Sequence, residues 1–211
     1  MTASHHWCHY VRWSWTSTLE ELSAALSADW NDLEQHFGIP RTSVVTHVES
    51  GGDTHDGARR VCILTFDNGQ RLVYKPRPVS GETGWEKLTA WLGQESPFAL
   101  PAAHALNCGS HGWVGYIPAL PSEQEGKLLK TPDFLHHCGI LIAIMHALNA
   151  KDMHRENLRI TEAGPLPIDL ETILHVSQPV GSTRTAHDAW LELGASVSSN
   201  GLLPTAIRNP A

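Results

Sequence analysis

The sequence has no long apolar run, no excess of basic charge and no paired cysteines. Its longest uninterrupted apolar stretch, Gly139 to Met145, is far short of the ~20 residues that a membrane span needs. The 15 basic residues stand against 22 acidic ones, a net charge of −7. That balance argues against a nucleic-acid groove and against docking on anionic lipid. Cys8, Cys62, Cys108 and Cys138 contain no C-x-x-C pair, so reduced thiols in a soluble, cytoplasmic protein are expected, with no structural zinc. Met1 to Tyr10 is polar and His-rich, without the basic and apolar regions of a signal peptide. His5, His6, Cys8 and His9 read as a loose terminus, because nothing nearby would hold them in metal geometry. His136-His137-Cys138, at helical spacing, is read as equally bland.

What is present is enough for one good core or two small lobes: 211 residues, 41 % of them apolar. Thr18-Leu19-Glu20-Glu21 is a capping box and predicts a helix start, with Leu22, Leu26, Trp30, Leu33 and Phe37 forming one apolar face. Gly38 and Pro40 should end it. Strands are predicted over Ser43 to Val48, Arg59 to Phe66 and Gln70 to Lys75, the last two joined by the turn Asp67-Asn68-Gly69. Thr83-Gly84-Trp85-Glu86 is a second capping box, predicting a short helix through Leu92. Strands around Ala103 to Cys108 and Trp113 to Ile117 precede a Pro/Gly/Glu-rich connector from Pro118 to Lys130. Thr131-Pro132 opens a long helix to about Ala150, apolar at Leu135, Gly139, Ile142, Met145 and Leu148. There is no internal repeat. The fold class expected is α+β, a small sheet lobe joined to a helical lobe.

The densest chemical signal is Asp152-Met153-His154-Arg155-Glu156-Asn157, directly after the long helix. Ile168-Asp169-Leu170-Glu171 follows, an acidic pair at the end of a short apolar strand. Two carboxylates and an amide at this spacing suit ATP chemistry: one Asp orients a hydroxyl, while the Asn and the later Asp hold Mg²⁺ against phosphates. Lys75 ends a hairpin strand, where a kinase-like fold keeps the Lys that neutralises phosphate charge. Each piece alone reads more simply as a solvated loop, an exposed Lys or a strand-end acid. Their order and spacing together favour the kinase-like reading. Asp53 and His55, in the Gly-rich segment Gly51 to His55, fit an acid–base pair, metal ligands or a simple Asx-turn.

Five blocks run in a familiar order: Gly52-Asp53-Thr54-His55, Leu72 to Arg77, His111 to Val114, Ala150 to Asn157 and Pro167 to Thr172. Together they resemble the dehydratase domain of class II (LanM-type) lanthipeptide synthetases, from about Ser50 to Pro204, over two thirds of the chain. The resemblance implies a partial two-lobed, lipid-kinase-like fold over 43–211, truncated at its C-terminus, behind an N-terminal segment and helix over 1–42. It implies an enzyme that uses ATP and Mg²⁺ to phosphorylate Ser and Thr of a precursor peptide with a leader. Phosphate is then eliminated to leave dehydroamino acids. A separate cyclase or a remaining synthetase polypeptide would be a partner. By the same resemblance Lys75 would contact the ATP phosphates, Asp152 would serve the hydroxyl and His154 would support that loop. Asn157, Asp169 and Glu171 would belong to the Mg²⁺–nucleotide site, and Asp53 and His55 to phosphate elimination. Gly115 stands where the family usually carries an acidic residue. The alternatives are a kinase-like small-molecule phosphotransferase, a non-catalytic nucleotide- or peptide-binding remnant and, more distantly, a metal-dependent hydrolase built on the two Asp-x-His pairs.

Overall fold

Residues 3–37 contain neither glycine nor proline, and they form one helix, α1 (Ala3–Phe37, 35 residues). The capping box at Thr18 therefore starts nothing. With no breaker before it, the helix already runs through Thr18, whose side chain is buried. Nor is the terminus loose in its backbone, which is helical from Ala3. The computed structural model describes residues 3–55, 59–96, 99–174 and 196–203, with the side chains of 3–14, 51–55 and 198 outside that description. Within it the chain is a mixed α+β structure of two compact units, the first comprising 1–83 and 104–116, the second 84–103 and 117–211.

The first unit holds a five-stranded antiparallel sheet of β1 (Val45–His55), β2 (Arg59–Phe66), β3 (Arg71–Lys75), β4 (Ala105–Asn107) and β5 (Gly112–Gly115), in the order β1-β2-β3-β5-β4. The turn between β2 and β3 is the predicted one: Gly69 takes a φ of 83° and donates its N–H to Phe66, which in turn donates to Gln70. β1 is longer than Ser43 to Val48 suggests, because pairing with Arg59 to Cys62 of β2 carries it on to His55. An irregularity between Gly51 and Thr54 absorbs the Gly-Gly-Asp sequence, so this segment is strand and not a free turn. The predicted face of α1 covers the sheet, with Leu22 and Leu33 packed among Leu64, Phe66, Leu72 and Trp113. Each such fully buried side chain contributes about 2 kcal/mol.

Between the units' sequence segments runs α2 (Ser80–Glu95), which starts three residues before the Thr83 capping box. Asn107 is the cause. Its Oδ1 accepts the Val79 N–H at 3.1 Å and its Nδ2 donates to the Ser80 hydroxyl at 3.1 Å, fixing the helix entry from a distant strand.

In the second unit the connector contains a short helix, α3 (Ser122–Leu128). α4 (Pro132–Ala147) follows, its Thr131 hydroxyl accepting the Phe134 N–H as the Thr-Pro start predicts. Its buried residues are Phe134, Leu141 and Met145; of the predicted face Met145 is buried, Ile142 and Leu148 are half-buried, and Leu135 is 57 % exposed. These side chains pack with Trp85, Leu100, Met153 and Leu170. A two-stranded hairpin, β6 (Leu158–Thr161) and β7 (Gly164–Pro167), completes the unit. No described helix is long and apolar enough to cross a membrane.

Candidate functional site

In the first unit, Lys75 ends β3 with its side chain 8 % exposed, and it is not a solvated lysine. Its Nζ donates to Glu82 Oε1 at 2.9 Å, and Arg77 donates to the same oxygen at 2.9 Å. Glu82 lies in the first turn of α2, with its side chain only 3 % exposed. Burial by itself would raise the Glu82 carboxyl, but the charge of Lys75 and the hydrogen bond and charge of Arg77 outweigh it and hold it below the usual range. The result is a fixed pair of cations on one carboxylate at the end of the sheet.

In the second unit, Asp152 to Asn157 form a tight loop after α4. His154 caps the 3-10 turn Arg155–Asn157: its Nδ1 accepts the Glu156 N–H at 3.3 Å. A neutral ring accepting at Nδ1 carries its proton at Nε2, the atom 3.5 Å from Asp152 Oδ1. Asn157 Nδ2 donates to the Asp152 carbonyl at 2.7 Å, closing the loop on itself. The Ile168 N–H donates to the Asn157 carbonyl at 2.9 Å, and Leu158 pairs with Pro167. The β6–β7 hairpin thereby brings Asn157 beside the backbone of Ile168, and Asp169 follows, two residues past the end of β7. Glu171 follows in a turn anchored by its buried neighbour Leu170. Asn157, Asp169 and Glu171 each carry a side-chain oxygen, the donor type that magnesium takes. The Asp152 loop also borders a cavity of about 310 Å³ whose lining includes Leu129, Phe134, Met153, Leu158 and Arg159.

A family model described as a domain of unknown function, DUF4135, matches residues 8–210. The chain belongs to the DUF4135 family. No curated protein matches it.

Of the residues expected from the sequence, the DUF4135 domain carries Asp152, His154, Asn157, Asp169 and Glu171 in the second unit and Lys75 in the first. Asp53 and His55 are in the last residues of β1, where His55 pairs with Arg59, and their side chains lie outside the described residues. Sequence reasoning assigned no role to Glu82 or Arg77, which the structure joins to Lys75. The available signal was an acid in the first turn of the helix following the Lys strand. A second missed group joins α1 to the sheet. Trp113 Nε1 donates to Asp29 Oδ2 at 2.7 Å, and His111 Nε2 lies 2.7 Å from the same oxygen. Burial would raise the Asp29 carboxyl, yet the hydrogen bonds from Trp113, His111 and Cys108 bring it below its ordinary value. Burial and then Asp29 push the Cys108 thiol up to about 12, so this cysteine stays protonated.

Proposed function

We propose that the chain is the ATP-using part of a lanthipeptide dehydratase, kinase-like in fold, which phosphorylates Ser and Thr of a precursor peptide. The observation that carries this reading is the buried Lys75–Glu82 pair. A Lys at the end of a third strand, held by a Glu in the following helix, is how kinases fix the Lys that meets ATP phosphates. The Asp152 to Asn157 loop and Asp169 support the same reading, and DUF4135 is associated with lanthionine synthetase-like proteins.

In this reading Lys75 neutralises phosphate charge, with Glu82 keeping its ammonium in place. Asn157, Asp169 and Glu171 would hold Mg²⁺, which would supply charge neutralisation at the transferring phosphoryl group. Asp152 receives the proton as the peptide hydroxyl oxygen bonds to the γ-phosphorus and the bond to the β-phosphate oxygen breaks, releasing ADP. His154, its Nε2 toward Asp152, orients that carboxylate. The later elimination removes a Cα proton, forms the Cα–Cβ double bond and expels phosphate from Cβ; the family resemblance assigns Asp53 and His55 to it.

Calorimetry with MgATP, followed by mass spectrometry of a Ser/Thr-containing precursor peptide, tests the reading. The expected result is nucleotide binding that Lys75→Ala or Asp169→Ala weakens by at least about tenfold, with phosphorylated peptide from the parent chain only. In an enzyme that also eliminates, Asp53→Ala and His55→Ala should leave phosphopeptide to accumulate. A chain that binds no MgATP overturns the proposal.

A further inference from the structure

Asp152 has a φ of 57°, in the left-handed region that a non-glycine residue keeps only when its surroundings over-determine it. On one side the restraint is local. Asn157 holds the Asp152 carbonyl, the Lys151 N–H donates to the Thr172 carbonyl at 3.2 Å, and the Thr172 hydroxyl donates back to the Lys151 carbonyl.

On the other side it comes from far along the chain. The segment 196–203 contains a 3-10 turn, Val197–Asn200, that ends at Gly201 in the left-handed conformation, φ 87°. The Met153 N–H donates to the Asn200 carbonyl at 2.8 Å, and Lys151 Nζ donates to the Ser199 hydroxyl at 2.7 Å. Asn200 is 1 % exposed, and its Oδ1 accepts the Leu202 N–H at 2.9 Å, which shapes the turn. Gly201 lies flat against the loop: a Cβ there would stand 3.1 Å from Met153 N and 3.7 Å from the Asp152 carbonyl carbon. Both the φ and the close approach require glycine.

We propose that Asn200 and Gly201 are positioning residues, a clamp that keeps Asp152 in its left-handed conformation with its carboxylate next to His154. The proposal rests on the reading of Asp152 as the residue that serves the hydroxyl, but the clamp itself is measurable without turnover.

The test compares the parent chain with Gly201→Ala, Asn200→Ala and the control Gly126→Ala, whose Cβ would meet nothing within 4 Å. Far-UV circular dichroism reports folding, hydrogen exchange reports the Met153 amide, and steady-state kinetics use MgATP with a synthetic Ser/Thr peptide. Gly201→Ala should fold, lose Met153 protection by about tenfold or more, and lower kcat at least about tenfold with the KM for MgATP unchanged. Asn200→Ala should move the same two readouts in the same direction, and it carries the test if Gly201→Ala does not fold. Gly126→Ala should move neither. Protection and kcat that survive in both clamp variants overturn the proposal, as does a raised KM with unchanged kcat. A parent chain without any turnover refutes the proposed function, and the Met153 amide then decides the clamp alone.

Discussion

Glu82 accepts from two cations while almost wholly withdrawn from water, so each partner depends on the others. Removing one member of a buried ion pair strands the remaining charge, which costs more than the pair contributes. Glu82→Ala should therefore destabilise the chain by about 3 kcal/mol in urea unfolding. It should also weaken MgATP binding more than Lys127→Ala, whose cation is 75 % exposed beside Glu123. Equal effects of the two would mean that Lys75 is not held by Glu82. The place of Lys75 at a strand end was legible. That of Glu82 was not, because its helix starts where Asn107 captures Val79 and Ser80, a contact between residues 28 and 27 positions apart.

Elements were legible where local chemistry settles them. The Asp67-Asn68-Gly69 turn and the Thr131-Pro132 helix start fall where the residues put them, since turn dihedrals and helix caps are properties of a few neighbours. The face of α4 was legible at Met145 but not at Phe134 and Leu141, because several apolar residues crowd that helix and only packing selects among them. β5 shows how closely elements meet. A Cβ on Gly112 would run into both methyl groups of Val79 and approach the Leu106 carbonyl. Gly112→Ala should cost about 2 kcal/mol through overpacking, and Val79→Ala combined with it should recover part of that loss. Thermal unfolding of the single and double variants reads this directly. Additive losses would show that Val79 is not the obstacle.

Across the whole molecule, the charged groups set the response to acid. Asp29 and Glu82 both have carboxyls held below their ordinary values in the folded chain. Such groups add stability above the unfolded carboxylate range, and that contribution is lost as pH falls through the lowered folded values. Trp fluorescence during acid titration should therefore report unfolding below the usual carboxylate range, with a shallower pH dependence of stability in Glu82→Gln and Asp29→Asn. An unchanged slope in both would place the acid-sensitive groups elsewhere. By itself the sequence determined the α+β class, the hairpin ending in Lys75, the covering face of α1, and the order of the Asp152, Asn157 and Asp169 blocks. Those features depend on periodicity, turn residues and spacing along one chain. Only the tertiary structure decided that Lys75 and Arg77 share Glu82, that Asp29 docks α1 on His111 and Trp113, and that Ser199 and Asn200 accept hydrogen bonds from Lys151 and Met153. Each of these joins side chains or backbone groups through burial and hydrogen bonds, whose partners are fixed by packing and not by neighbouring residues in the chain.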